Sequence, residues 1–216
     1  MSKRSREIWY PKIYLITGFS CTGKTTIGME LLRRYDNTVF LEEDDYIIEP
    51  QQESKNYSIL SNGAKVPNPI TENMIDWNKL NDTIKMYMGF GWNVIITSSF
   101  VNACNYIKFY IYKLIILMYK GNEKSILRSC FRRRKYVYGI SLLYEETDIL
   151  MLSELSLPLY NKNIDEMINA SQRFLSLTSS HIIYVTDGCG KDLGRNIVLQ
   201  EVIKFFKNPS FKNQYK

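Results

Sequence analysis

The hydrophobic residues of this chain fall into short apolar runs that alternate with segments of helical spacing. The runs are rich in Ile, Val, Leu and aromatic residues, as expected for buried strands, and they are residues 12–17, 38–41, 92–97, 112–118 and 181–185. Between them, apolar side chains recur three and four positions apart, the spacing of one helix face. The helices predicted in this way are residues 25–35, 73–88, 122–135 and 193–206, with a further helical region in parts of 145–174 that breaks near Pro158.

Strands that alternate with helices along a chain favour an α/β fold with a parallel sheet and helices on both faces. The five predicted strands are enough for one three-layer domain, which we expect to span residues 1–216. Residues 48–71 are polar, contain proline and show no periodicity, so they predict a long irregular loop that is functional or mobile. Ligands of such a sheet bind at the carboxyl ends of its strands.

Composition narrows the class of protein. Of the 216 residues, 45% are hydrophobic and 23% are charged, which is ordinary for a globular protein and argues against a disordered chain. No run of about 18 apolar residues is present, and the basic N-terminus has no apolar stretch behind it, so neither a membrane span nor a signal peptide is predicted. The 4 cysteines are scattered without a C-x-x-C pair, which argues against zinc and favours reduced thiols in a cytoplasmic protein.

The strongest motif is the glycine-bounded stretch at residues 18–26. It matches G-x-x-x-x-G-K-[ST] and lies between a predicted strand and a predicted helix, the context that a phosphate-binding loop requires. Its glycines let successive backbone N–H groups point at phosphate oxygens, next to the positive end of the helix. Lys24 is expected to reach the β- and γ-phosphates, and the hydroxyl of Thr25 to ligate Mg²⁺. The predicted nucleotide-binding residues are Gly18, Ser20, Cys21, Thr22, Gly23, Lys24, Thr25 and Thr26.

An acidic cluster follows the second predicted strand, at the edge of the sheet that should carry the phosphate loop. It contains Asp44 and Asp45, and a carboxylate in this place can accept the proton of an attacking hydroxyl or hold Mg²⁺ through water. Asp44 is therefore the predicted base and, with Thr25, the predicted metal-side residue. The third predicted strand runs into residues 97–99, Thr-Ser-Ser, without an acid, which weighs against hydrolytic ATPases and GTPases and fits small kinases better.

A basic helix follows the fourth predicted strand. Arg128 and Arg132 in it are four positions apart and share a helix face, so we expect this pair to stabilise the transferring phosphoryl group. Residues 136–144 would then form a lid that excludes water. A solvated basic face or a nucleic-acid patch is the alternative interpretation of the same charges.

Together these residues resemble the nicotinamide riboside kinase and uridine kinase group of P-loop kinases. The loop is similar to the family's G-x-x-x-S-G-K-T-T with Thr22 for Ser, and Glu-Asp-Asp-Tyr at residues 43–46 is similar to its Q-D-D-F. Stretches that resemble its arginine-rich lid, a helix entry, and its last strand and turn are residues 129–134, 157–167 and 183–188. The resemblance implies a P-loop kinase fold with a short lid, and by position it implies the catalytic base Asp44, the phosphate lysine Lys24, the magnesium-side hydroxyl Thr25 and a lid-side Arg132.

The chain departs from that family in one place. Glu-Gly usually follows the third strand of the family, on the substrate or metal side of the site, and here Thr97, Ser98 and Ser99 stand in that region. The departure leaves the identity of the phosphate acceptor open.

The predicted function is transfer of the γ-phosphate of ATP, with Mg²⁺, to a hydroxyl of a small nucleoside-like acceptor of the nicotinamide riboside or pyrimidine nucleoside type. The predicted acceptor-binding residues combine carboxylates with rings that could stack on a base, and they are Asp44, Asp45, Tyr46 and Tyr57. Two alternatives stay open. One is a nucleotide, polynucleotide-end or antibiotic kinase on the same fold, and the other is a nucleotide-binding regulatory module without transferase activity.

The net charge of +6 does not describe one basic surface. Residues 1–12 contribute +3 and residues 204–216 contribute +4, so the rest of the chain carries −1. Within that rest, residues 42–53 hold six acids and residues 124–135 hold six bases, the separation that a phosphotransfer site needs. This distribution argues against a nucleic-acid partner, no membrane partner is expected, and residues 1–11 and 207–216 are predicted to be basic terminal segments.

Overall fold

The computed structural model describes residues 10–48, 57–100, 103–138, 145–159, 162, 179–187, 189 and 191–207, with the backbone alone at 135–138, 145 and 179. Its strands are β1 (Ile13–Gly18), β2 (Thr38–Glu42), β3 (Tyr57–Ile59), β4 (Lys65–Pro67), β5 (Asn93–Ser98), β6 (Ile111–Met118) and β7 (Ser179–Tyr184). Its helices are α1 (Lys24–Leu32), α2 (Trp77–Gly89), α3 (Ala103–Tyr106), α4 (Glu123–Tyr138), α5 (Glu145–Met151) and α6 (Arg195–Lys207). Short 3₁₀ turns cover Glu43–Tyr46 and Glu72–Met74, and a π-helical turn, Leu152–Ser156, follows α5.

Five strands form one sheet in the order β2-β5-β1-β6-β7, and every pair in it is parallel. The predicted α/β fold with a five-stranded parallel sheet is therefore confirmed. The chain places β2 and β5 on one side of β1 and places β6 and β7 on the other, so the direction of winding changes at β1. Open parallel sheets bind ligands at the carboxyl ends of the strands beside such a change.

Two hydrophobic cores, one on each face of the sheet, make the fold three-layered. Neighbouring residues of a strand point to opposite faces, and Leu15 and Ile16 accordingly belong to different cores, both fully buried. One core packs α1, α4 and α6 against the sheet, and the other packs α2 and residues 103–107. Because both faces are buried, these strands appear in the sequence as continuous apolar runs instead of alternating ones.

The prediction of an irregular loop at residues 48–71 was wrong for its second half. There β3 and β4 pair as an antiparallel hairpin. Its turn contains the dipeptide Asn62-Gly63, a strong hairpin signal, but strands of three residues are too short to show an alternating pattern. At the turn, the backbone N–H of Ser61 donates to Glu154 in the π-helical turn at 3.1 Å, so the hairpin reaches the α5 side of the molecule.

Helix boundaries differ from the predicted ones by a few residues, and local capping explains the largest difference. The side chain of Asp76 accepts the backbone N–H of Lys79 at 2.9 Å, which starts α2 at Trp77 and leaves residues 72–74 in a separate turn. Among the residues that the structure describes, no helix has both the length and the apolar character needed to cross a membrane.

Candidate active site around the phosphate loop

The phosphate loop joins β1 to α1, and its backbone requires glycine at both ends. A Cβ atom on Gly18 would collide with the carbonyl oxygen of Leu117 on β6, so only glycine lets the chain leave β1 this close to its neighbour. Gly23 has a φ of 94°, a left-handed conformation that glycine adopts without strain just before α1. Inside the loop, the hydroxyl of Thr22 donates to the carbonyl oxygen of Phe19 at 2.9 Å, which closes the turn.

Lys24, the first residue of α1, lies folded over this loop. Its Nζ donates to the carbonyl oxygens of Gly18 and Phe19 at 2.9 and 3.2 Å. Burial lowers the pKa of Lys24, and the negative charges of Glu43 and Asp44 oppose that effect. Neutral carbonyl partners are weaker acceptors than phosphate oxygens, so this ammonium group can exchange them for a bound polyphosphate.

The next residue connects the loop to β2. Thr25 Oγ1 donates to Oε1 of Glu42, the last residue of β2, at 2.5 Å. A hydroxyl with a carboxylate behind it offers the oxygen ligands that Mg²⁺ prefers. In the described part of the chain, no group of three His, Cys, Asp or Glu side chains could hold a metal ion by itself. Thr26 is exposed beside this pair.

Glu43 differs from the other acids of the cluster because it is buried. It is 2% exposed, and its carboxyl group reaches the end of β5, where it accepts a hydrogen bond from the hydroxyl of Ser98 and one from the backbone N–H of Ser99 at 3.2 Å. Burial raises the pKa of Glu43 to about 7, and the two hydrogen bonds only partly oppose this rise. The end of β5, which carries no acid of its own, is thus in contact with an acid from the turn after β2.

The predicted acceptor-binding residues lie in different environments. Asp44 and Asp45 are exposed in the turn after β2. Tyr46 is 8% exposed and packs in the core beneath that turn, so its ring is not an open platform for a base. Tyr57, at the start of β3, is 47% exposed, and the ammonium group of Lys65 lies 4.5 Å from its ring centroid.

On the other side of the loop, α4 supplies an arginine that joins three segments of backbone. Arg133 donates to the carbonyl oxygens of Cys21 in the loop and Val185 after β7, at 3.1 and 3.3 Å. It also pairs with Asp192 at 2.9 Å and lies 5.7 Å from the centroid of the Tyr119 ring. The Arg133 side chain therefore holds the phosphate loop against the segment between β7 and α6.

A second arginine of α4 is bound to α5. Arg134 forms an ion pair with the largely buried Asp148 at 2.8 Å, with a further hydrogen bond from Nε, and its Nη1 lies 3.5 Å from Ser20 Oγ in the loop. One helical turn earlier, the thiol of Cys130 contacts the carbonyl oxygen of Ser20 at 3.7 Å. These contacts fix the loop from the α4 side, and the charge of Arg134 is already balanced.

The arginine pair predicted from the sequence lies elsewhere on the same helix. Arg128 and Arg132 are both exposed. Arg128 lines a cavity of about 550 Å³ between α4 and the α5 segment, and Arg132 pairs with Asp192 at 3.3 Å. The predicted lid at residues 136–144 falls outside the described side chains.

Four residues at this site were not predicted from the sequence, and they are Glu42, Glu43, Arg133 and Arg134. The sequence shows the acidic cluster and the arginine run as groups. Motif likeness and i, i+4 spacing do not show which face of a turn or helix meets the loop. A sequence signal that could have indicated Glu43 is the pair Ser98 and Ser99, because polar residues at the end of a buried strand need hydrogen-bond partners.

The likeness of this chain to known proteins lies in its fold. No family model matches the chain, and no curated protein is significantly similar to it. The solved structures that resemble it include a sugar kinase from Janibacter sp. HTCC2649, 14% identical, with a TM-score of 0.49 over 91% of this chain and 94% of that one. They also include a gluconokinase from Sinorhizobium meliloti 1021, 15% identical, with a TM-score of 0.46 over 91% of each chain. Likeness at this level carries no argument about activity or substrate, and the closer resemblance to nicotinamide riboside and uridine kinases stays a prediction.

Proposed function

We propose that the protein transfers the γ-phosphate of ATP to a hydroxyl group of a small acceptor that itself carries no phosphate. The observation that supports this is the hydrogen bond between Thr25 and Glu42, because it places a preformed phosphate loop directly beside a turn rich in carboxylates. Phosphoryl transfer needs these two parts: a loop that holds the phosphates, and a carboxylate that accepts the proton of the acceptor hydroxyl as a base.

In this proposal Asp44 is the base. The acceptor oxygen forms a bond to the γ-phosphorus while the bond from that phosphorus to the bridging oxygen breaks, and the electron pair leaves with ADP. The hydroxyl proton passes to Asp44, which is exposed and therefore accessible to a substrate. Lys24 exchanges the carbonyl oxygens of Gly18 and Phe19 for phosphate oxygens and balances the charge that develops there.

The residues around Thr25 fit a magnesium ion, as the fold would require. Thr25 Oγ1 and the carboxylate of Glu42 would hold it, and the ion would neutralise charge on the β- and γ-phosphates. The sequence predicts Asp44 as a metal-side residue together with Thr25. We propose Glu42 in that role instead.

The charge of the acceptor side argues for the class of acceptor. Asp44 and Asp45 are exposed there beside Glu42 and Glu43, and a phosphorylated acceptor would bring further negative charge to this turn. A neutral or cationic molecule with several hydroxyls meets no such repulsion, and carboxylates accept hydrogen bonds from hydroxyls. The ring of Tyr57 is about half exposed, with Lys65 over one face, and a ring of this kind can stack on a planar base through its other face. We therefore favour a nucleoside-like acceptor over a simple sugar.

The decisive experiment measures ADP release with Mg-ATP across four classes of acceptor: nucleosides, including a cationic one, hexoses, nucleoside monophosphates and a 5′-hydroxyl oligonucleotide. We expect turnover with nucleosides and little with monophosphates. ADP release that depends on a monophosphate or on the oligonucleotide would contradict the acceptor class. ATP binding without ADP release in every arm would identify a nucleotide-binding module and overturn the proposed transfer reaction.

A further inference from the structure

We propose that Glu43 acts on the magnesium side of the nucleotide site, where it supplies from the β2 side the acid that β5 lacks. The inference rests on the proposed nucleotide site and deepens it. The neighbours of Glu43 already have proposed roles. Glu42 binds the hydroxyl of Thr25 in the loop, Glu43 binds the end of β5, and Asp44 faces the acceptor as the base.

The position of Glu43 at the end of β5 supports this role. β5 lies between β2 and β1, and Ser98 at its end is paired in register with Thr17, the residue before the phosphate loop begins. The carboxyl group of Glu43 is hydrogen-bonded to Ser98 and Ser99, so it occupies the carboxyl end of the strand next to the loop. Nucleotide-binding loops of this kind use an acid at a neighbouring strand end to help to hold Mg²⁺. Residues 93–98 contain none, and Glu43 places one there.

The charge of Glu43 also acts on the phosphate loop. Among the charges that act on Lys24, that of Glu43 has the largest effect and that of Asp44 comes after it. The buried acid is therefore the one more strongly coupled to the phosphate lysine. A carboxylate that is coupled to this lysine and fixed to β5 is suited to bind water of a hydrated Mg²⁺ ion.

The carboxylate of Glu43 also keeps hydrogen-bond capacity for a further ligand. Ser98 has one hydroxyl proton, and its Oγ is within hydrogen-bond distance of both Glu43 and the carbonyl oxygen of Phe100, the latter at 2.9 Å. The same Oγ accepts the backbone N–H of Phe100 at 2.9 Å. Ser98 thus cannot donate fully to both oxygens, and the carboxylate of Glu43 keeps lone pairs that a metal-bound water can use.

The hydrogen bonds that join Glu43 to Ser98 and Ser99 do not by themselves require a negatively charged side chain. A glutamine could accept from the N–H of Ser99 and donate to Ser98, whereas burying a carboxylate costs free energy unless the charge is paired and hydrogen-bonded, as a nearby Mg²⁺ ion would allow. This difference gives the test, because Glu43→Gln keeps the shape of the side chain and can bond the same two partners, while it exchanges one carboxylate oxygen for an NH₂ group and removes the charge.

The experiment is a MgCl₂ titration of the binding of a fluorescent methylanthraniloyl derivative of ATP, without any acceptor. Glu43→Gln should raise the half-saturating Mg²⁺ concentration about tenfold or more, as loss of outer-shell partners does at metal sites. It should not weaken binding in EDTA, because without the metal the lost negative charge only reduces repulsion of the phosphates. The exchanged double variant Glu43→Ser with Ser98→Glu returns a carboxylate to the same place from the β5 side. It should bring the Mg²⁺ midpoint back toward the wild-type value. Asp45→Asn removes an exposed acid of the same turn and is the matched control, with no shift expected.

An unchanged Mg²⁺ midpoint in Glu43→Gln would overturn the proposal and leave Glu43 as a structural tie. A folded double variant, judged by its thermal unfolding, whose midpoint stays at that of Glu43→Gln would overturn it as well. Because no acceptor is present, failure of the transfer reaction does not affect these outcomes. A chain that shows the Mg²⁺ shift but releases no ADP with any acceptor would retain the role of Glu43 and lose the proposed function.

Discussion

The two flanks of the phosphate loop carry opposite charges and use them differently. On the α4 flank, Arg133 and Arg134 are each paired with an aspartate and contact the loop at Cys21 and Ser20. On the β2 flank, one carboxylate is hydrogen-bonded to Thr25, one is buried against β5, and Asp44 and Asp45 are exposed. Arg134 has its own partner in Asp148, and Arg133 shares Asp192 with Arg132, so both arginines that contact the loop are held in place by ion pairs. The arginine flank thus acts as a scaffold, and the acidic flank holds the groups that remain for chemistry.

This difference changes how the basic helix should be interpreted. A run of arginines beside a phosphate loop suggests direct contacts to the transferred phosphoryl group. Here Arg133 binds two backbone carbonyl groups and Asp192, so its immediate effect is on the shape of the loop. Substitutions of Asp44 and Lys24 should therefore change the rate of phosphoryl transfer, whereas substitution of Arg133 should change nucleotide affinity.

The largest effect is expected at Lys24, where the two flanks meet. Lys24→Ala should reduce acceptor-dependent ADP release by about 10³-fold or more, because it removes the only side-chain cation assigned here to the developing phosphate charge. Steady-state kinetics with Mg-ATP measure the loss, and circular dichroism should show an unchanged fold. Turnover near that of the wild type would show that the loop does not perform the chemistry.

The acidic flank is tested next by comparing two adjacent exposed acids. Asp44→Asn should lower kcat by about 10²-fold or more with little change in ATP affinity, since a neutral amide cannot accept the proton. Asp45→Asn is the matched control, and its effect should fall mainly on the KM of the acceptor. If the variants lose kcat equally, the base is not Asp44 alone. If Asp44→Asn instead loses ATP affinity and keeps kcat, Asp44 acts on the metal.

The contrast between the flanks also explains what the sequence could predict. The loop at residues 18–26 follows from local chemistry, since its glycines, lysine and threonine act through backbone geometry that the motif itself specifies. The parallel sheet follows from runs whose apolar character reflects burial on both faces. These features depend on neighbours along the chain, and they were predicted with boundaries close to the observed ones.

The remaining features depend on contacts between distant residues. Glu43 and Ser98 are 55 positions apart, and no local pattern distinguishes Glu43 from the exposed Asp44 beside it. Arg128 and Arg132 share one face of α4, and their spacing predicts no more than that. The face that contacts the phosphate loop carries Arg133 and Arg134. A run of three arginines covers most directions around a helix, so packing and not spacing decides which of them point inward.

A smaller effect concerns the stability of the nucleotide-free protein as a function of pH. Burial raises the pKa of Glu43 from 4.5 to about 7, so below pH 4.5 the group is protonated in both folded and unfolded chains and its contribution is fully present. As the pH rises toward 7, the unfolded chain loses this proton first, and the folded state loses on the order of 3 kcal/mol relative to a group that does not titrate. Urea unfolding of the wild type and of Glu43→Gln between pH 4.5 and 8 measures the difference. The advantage of the wild type over the variant should shrink as the pH rises. Parallel profiles would contradict the burial of Glu43 as an acid.

The smallest effect separates the arginines of α4 from one another. Arg133→Ala frees the loop at Cys21 and the backbone at Val185, and if the loop then keeps its binding shape in about a tenth of the molecules, ATP affinity falls about tenfold. The rate at saturating ATP should change little, because the Arg133 side chain is bound to the backbone carbonyl groups of Cys21 and Val185. Arg128→Ala is the matched control, since Arg128 is exposed on the same helix and lines the cavity beside α5. Titration of the fluorescent ATP derivative measures both affinities. Equal losses of ATP affinity in the two variants would indicate a general electrostatic attraction of α4 for nucleotide. A loss of kcat in Arg133→Ala would instead indicate that this arginine acts on the transferred phosphoryl group, and the two flanks would then not differ in function.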